Sequence, residues 1–201
     1  MNYLAHIFLS GEDKAIQIGN FVGDAVKGSA YHQYPQGFQT GILLHRQVDA
    51  FSDTHPMVRE AVALGRESLG RYSAVVMDIF FDHFLAVHFR EYADRSLSLF
   101  AYRFYWTLLI HYRQLPPRFQ GFLWHFIMTN RLVCYASPEG VRRSLEIMAR
   151  YRGLQVDPSE AIRFLQSYHE ELLKLFRQFF PDLQAMCQRE LVRLTTPMLN
   201  S

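Results

Sequence analysis

The chain has 201 residues, of which 49% are hydrophobic and 20% charged, with a formal net charge of +2 at pH 7. That length suffices for one domain with a sizeable core, and the apolar share excludes an intrinsically disordered chain. The near-zero charge excludes the cationic excess of a dedicated nucleic-acid binder, and the two cysteines, Cys134 and Cys187, lie too far apart for a zinc ribbon or a disulfide framework and suit a reducing cytoplasm.

In chain order, the opening MNYLAHIFLSGEDK carries no positive region ahead of its apolar run and no small-residue cleavage site behind it, so no signal peptide is expected. Apolar residues recur at three and four positions almost everywhere, which predicts an all-α fold: a single-domain, multi-helix bundle over residues 1–201. A short helix over 2–9 is followed, after Gly11-Glu12-Asp13, by one that carries Ile16, Ile18, Phe21, Val22 and Val26 and stops near Gly28. A loop to Pro35 leads to a helix over 37–52, and Pro56 opens the next, over 57–69. The helix over 72–94 places Asp78 and Asp82 inside the apolar run VVMDIFFDHFLAVHF, an expensive arrangement unless the charges have partners. Helices over 97–113 and 117–135 are separated by Pro116-Pro117. Ser137 and Asp157 cap helices to about 151 and 179, and Pro181 opens a last helix that ends before Pro197. No apolar stretch approaches the roughly 18 residues of a membrane span.

Three clusters of acidic residues and histidines stand out: His6 with Asp24, His45/Asp49/Asp53/His55, and Asp78/Asp82/His83. His45 and Asp49, four apart, lie one turn apart on one helix face and can offer two ligands to one metal. Asp53 follows four further on, rotated by about 80° from His45. A carboxylate there is a ligand, a cap for the next helix, or both, and N-cap preferences point to Asp53 or Thr54 as that cap. Asp78 and Asp82 repeat the four-residue spacing, and His83 projects about 100° from Asp82, so the two can straddle a metal. Imidazole and carboxylate donors suit a divalent cation such as manganese or magnesium, which polarises a phosphoryl oxygen and activates water. No Walker loop, dinucleotide fingerprint, nucleophile elbow or H-E-x-x-H is present, leaving metal-assisted hydrolysis as the leading chemistry.

The segments NYLAHIFLS, GNFVGDAVKG, GILLHRQVDAFSDTHP and MDIFFDHFL, in this order, resemble the acyl carrier protein phosphodiesterase family, itself similar to distant HD-domain phosphohydrolases. The resemblance implies an HD-domain-like helical fold and hydrolysis of the phosphodiester joining 4'-phosphopantetheine to a serine of holo-acyl carrier protein. It also implies manganese as the favoured metal, with Mg2+ or Fe2+ as substitutes. The motif positions fall on His6, Asp24, His45, Asp49, Asp53, Asp78, Asp82 and His83. The name-giving pair of HD-domain enzymes runs His then Asp, whereas here Asp82 precedes His83, so individual ligand roles do not transfer from that wider group.

On this basis His6, Asp24, His45, Asp82 and His83 are expected in the metal shell. Asp49, Asp53 and Asp78 are further ligands, orienting groups or the general base, and Arg46 either clamps the phosphate or forms a surface ion pair. The expected partner is acidic holo-acyl carrier protein, met by Arg59, Arg66, Arg71, Arg142 and Arg143 or by none of them if these form an ordinary solvated face. No nucleic acid or membrane partner is expected. Phe100, Phe104, Trp106, Phe119, Phe122, Trp124 and Phe126 read as core packing before a groove for the pantetheine arm. Two alternatives keep the same fold: a phosphohydrolase of nucleotides or other small phosphodiesters, and a non-enzymatic carrier-protein-binding module.

Overall fold

The computed structural model describes residues 1–153 and 155–196, and these form helices and turns without a strand. The all-α expectation holds. The α-helices are α1 (Tyr3–Leu9), α2 (Lys14–Val22), α3 (Gln36–Thr54), α4 (Pro56–Leu64), α5 (Arg66–Leu69), α6 (Ser73–Val87), α7 (Phe89–Tyr92), α8 (Leu97–Ile110), α9 (Pro117–Met128), α10 (Arg131–Cys134), α11 (Pro138–Arg152), α12 (Pro158–Ser167) and α13 (His169–Thr195). Tight 3-10 turns, Gly23–Ala25 and Gly28–Gln33, join α2 to α3.

Side-chain oxygens start several of these helices as their sequences predict. Asp13 accepts from the amides of Ala15 and Ile16, Ser137 from Gly140, and Asp157 from Ser159. The cap of α4 differs from expectation: α3 runs through Asp53 and Thr54, and the Thr54 hydroxyl donates back to the Ala50 carbonyl. His55 takes the capping position, its Nδ1 accepting from the Met57 amide at 3.3 Å. Several long predicted helices are broken into two. One break falls at Asn130, whose φ of 47° leaves the helical region between α9 and α10. Another comes at Tyr168, dividing the stretch 157–179 into α12 and α13. Pro181 does not open a helix but lies inside α13, which dispenses with one amide bond there. Pro197 lies outside the described residues.

Buried apolar side chains from Met1 to Cys187 form one contiguous cluster, rich in phenylalanine, in which each fully buried ring contributes about 1.5–3 kcal/mol. Two contacts in this core position the candidate site. The first is the approach of α2 to α3: a Cβ on Gly19 would lie 2.2 Å from the Phe38 carbonyl oxygen, and one on Gly41 2.1 Å from that of Ile16. Only glycine allows these backbones to meet so closely. The second is the seating of α1 on α6, where the buried carboxylate of Asp82 accepts the amides of Asn2 (3.3 Å), Leu4 (2.7 Å) and Ala5 (3.2 Å). A carboxylate in that place satisfies the orphan N–H groups of the first turn and the positive end of the helix dipole.

Candidate metal centre

α1, α2 and α3 bring His6, His45 and Asp49 together at their shared junction. His6 Nε2 lies 3.2 Å from Asp49 Oδ1, and His45 Nε2 lies 3.2 Å from Asp49 Oδ2. Among the described residues these three offer ligand atoms all within 4.8 Å of one another. Two ligands held about 2.1 Å from one cation at angles of 90–110° stand about 3.0–3.4 Å apart, which matches both separations. The imidazole rings stack with centroids 4.1 Å apart, both buried, while Asp49 faces solvent at 46% side-chain exposure. The His45 ring lies against Gly23, where a Cβ would come within 2.4 Å of His45 Cγ.

A single residue of α2 orients both rings. Fully buried Asn20 places its Oδ1 2.8 Å from His6 Nδ1 and its main-chain oxygen 2.9 Å from His45 Nδ1. The direction of these bonds follows from the neighbours. Ser10 Oγ donates to the His6 carbonyl at 2.8 Å and so accepts from Asn20 Nδ2 at 2.9 Å, which leaves the Asn20 oxygen facing His6. Each Nδ1 therefore carries a proton, which leaves each Nε2, turned toward the Asp49 carboxylate, as the nitrogen available to a metal.

Each contact between an Nε2 and the carboxylate is attractive when a positive charge, a proton or a metal ion, lies between its two atoms. Burial, reinforced by the charge of neighbouring His45, pushes the His6 pKa down from 6.5 to about 4 despite the opposing pull of Asp49. A proton thus joins His6 to Asp49 only in acid. Burial tends to raise the Asp49 pKa, but its interactions with His45 and His6 outweigh this and hold the carboxyl well below the usual range. Two imidazoles and one carboxylate are a donor set that fits a divalent metal.

The profile of the acyl carrier protein phosphodiesterase family matches residues 1–183. The chain belongs to this family. It is similar to proteins named acyl carrier protein phosphodiesterase from Yersinia pestis, 29% identical over 94% of this chain and 99% of the relative, and from Photorhabdus laumondii, 31% identical over 94% and 96%. The relative of that name from Escherichia coli K12 is 28% identical over 94% and 99%. No solved structure matches.

Of the residues predicted for the metal shell, the trio contains His6 and His45, and of those expected as further ligands, orienting groups or base it contains Asp49. Asp82 and His83 lie outside it. Asp82 caps α1, and His83 is buried with Nδ1 2.7 Å from the Tyr135 carbonyl. Burial raises the Asp82 pKa from 3.8 to about 7, against the lowering effect of the Met1 amino group and the three amides. Asp78 pairs with the Met1 amino group at 2.9 Å. Asp24 follows Gly23, the residue that packs against the His45 ring, and is half-exposed, with its carboxylate 3.1 Å from Lys27 Nζ. Asp53 is exposed at the end of α3, where its carbonyl accepts from Arg59.

Arg46 makes its described hydrogen bonds to main-chain carbonyls. It donates to the carbonyls of Val26 (3.1 Å) and Gly28 (2.7 Å) and lies over the Tyr31 ring, so it pins the turn that follows Asp24. Of the arginines proposed to receive an acidic partner, Arg142 and Arg143 are bound by Glu139, and Arg142 also by Glu146, on their own helix. Of the aromatic series, Phe100, Phe104, Phe119 and Phe126 are buried, whereas Trp106 and Trp124 are exposed. Asn20 and Ser10 were missed in the sequence. The available signal was a polar side chain on the apolar stripe of α2, in the segment GNFVGD.

Proposed function

We propose that this chain is a divalent-metal-dependent phosphodiesterase that releases 4'-phosphopantetheine from holo-acyl carrier protein. The observation that carries the metal dependence is the convergence of two Nε2 atoms on the Asp49 carboxylate, with Asn20 holding both Nδ1 atoms. Membership of the family, and the names of relatives matched along nearly their whole length, support the substrate.

A bound divalent cation would supply Lewis-acid activation of a phosphoryl oxygen and of water. His6, His45 and Asp49 would hold it, leaving positions open toward the solvent side of Asp49. Asp24, next to Gly23, is the carboxylate we assign to complete the shell or to take the proton from attacking water. Arg46 acts at one remove, holding the turn that carries Asp24. Two imidazoles favour Mn2+ or Fe2+ over Mg2+, which prefers an all-oxygen shell. Asp82 keeps α1, and with it His6, in place.

The test is incubation of the purified protein with holo-acyl carrier protein and Mn2+, followed by intact-mass spectrometry. Conversion to the apo mass, abolished by His45→Gln and by chelation, is expected. Folded protein that binds Mn2+ yet leaves the mass of the carrier protein unchanged overturns the substrate, and protein active after complete removal of metal overturns the metal dependence.

A further inference from the structure

A second cavity, of about 440 Å³, lies between the start of α1 and helices α9, α10 and α11. That volume is in the range of about 300–1,000 Å³ typical of small-molecule sites. Its walls are largely apolar, including Phe119, Phe122, Phe126 and Met148, and its polar members are unbalanced: Arg118, His125 and Arg131 line it, and among the described residues no aspartate or glutamate does.

Two of the lining groups stand out. Arg131 is buried, at 8% exposure, and its guanidinium lies over the face of the Tyr135 ring, 5.7 Å from the centroid. The Tyr135 hydroxyl is fully buried without a hydrogen-bond partner among the described residues. Burying a hydroxyl unsatisfied is costly, and an anionic head group in this cavity would accept from it while pairing with the Arg131 charge. The Tyr135 phenol, pushed far above its usual range by burial, remains a donor at any physiological pH.

We propose that this cavity is a binding site for a single-chain amphiphilic carboxylate, with the head group taken by Arg131 and Tyr135 and the chain lying along Phe119, Phe122, Phe126 and Met148. Phosphate alone would leave the aromatic walls unfilled, and a neutral alkyl chain would leave the Tyr135 hydroxyl without an acceptor. The site is separate from the metal centre and does not rest on the phosphodiesterase reading. It neighbours that centre through α1, where Tyr3 of the cavity wall sits one turn before His6.

Calorimetric titration of the full chain, stripped of metal by chelation, with decanoate and with decanol tests the proposal. Saturable 1:1 binding of decanoate is expected, with decanol at least tenfold weaker and with the same decanoate affinity after loading with Mn2+. Arg131→Gln should weaken decanoate at least tenfold without changing decanol, whereas Arg131→Lys should retain it within about threefold. Phe122→Trp, which keeps the charge but fills the half-buried wall, should lower the affinity for both, with circular dichroism checking the fold of each variant. Equal affinity for decanoate and decanol, no saturable binding, or decanoate binding only to Mn2+-loaded protein would each overturn the proposal. An unaltered decanoate affinity in folded Arg131→Gln would do the same.

Discussion

Replacing Asn20 by alanine is the sharpest perturbation of the metal centre that leaves every proposed ligand in place. The substitution removes the acceptor 2.8 Å from His6 Nδ1 and the donor to Ser10 Oγ, both in a fully buried setting. Leaving the His6 N–H unsatisfied costs about 1–3 kcal/mol, and the lost bond to Ser10 adds less, so a total destabilisation of about 2–4 kcal/mol is expected. His45 keeps its orientation, because its partner is the main-chain oxygen of residue 20, which alanine retains. Affinity for Mn2+ should therefore fall through His6 alone, by about 10–100-fold, the usual effect of losing a group that orients a ligand. Asn20→Asp restores an acceptor for the His6 N–H and should bind within about tenfold of the wild type. Calorimetric titration of Mn2+, with urea unfolding alongside, measures both quantities. Folded Asn20→Ala that binds Mn2+ within about twofold of the wild type would refute the account of the tautomers.

Gly23→Ala drives a methyl group into the His45 ring and should weaken Mn2+ binding at least tenfold, at a stability cost of about 1–3 kcal/mol, read from the same titration and a urea curve. Asp24→Asn should lower kcat on holo-acyl carrier protein by about 100-fold or more while changing stability by less than about 1 kcal/mol, since its pair with Lys27 is exposed. In metal-free protein, His6 should make stability rise with pH between about 4 and 6.5, because over that interval the unfolded chain binds a proton that the folded chain does not. Asp82, protonated in the folded chain up to about pH 7 but ionised in the unfolded chain above 3.8, acts in the opposite direction, each by about 3 kcal/mol across the interval. The wild-type urea midpoint should therefore be nearly flat from pH 4 to 6.5 and that of Asp82→Asn should climb; parallel slopes in the two proteins would contradict the assignment of Asp82, and a flat Asp82→Asn curve that of His6.

What the sequence discloses of this site follows the range of the interactions involved. The pairing of His45 with Asp49 is legible because four-residue spacing on one helix is a local property. The helical class is legible for the same reason, through periodicity. Asp82 shows the limit. A carboxylate among Ile79, Phe80, Phe81 and Phe84 must be compensated, but three backbone amides compensate it as well as a metal does, and those amides belong to residues about 80 positions away. Asn20 is hidden for a related reason: its significance lies in what stands on either side of it, on α1 and α3. The helix breaks at Asn130 and Tyr168 escaped periodicity because the apolar stripe continues across each, while the continuation of α13 through Pro181 shows packing overriding a local breaker.

These contacts also bear on what the metal contributes. In a zinc finger the ligands are unordered until the metal arrives, so binding energy is folding energy. Here the glycine-mediated approach of α2 to α3, the capping of α1 by Asp82, and the bonds from Asn20 to both rings are contacts between protein groups that do not run through a cation. They orient His6 and His45 by packing and hydrogen bonding, so that metal binding at this junction is expected to add affinity and stability to a folded chain and not to drive its folding.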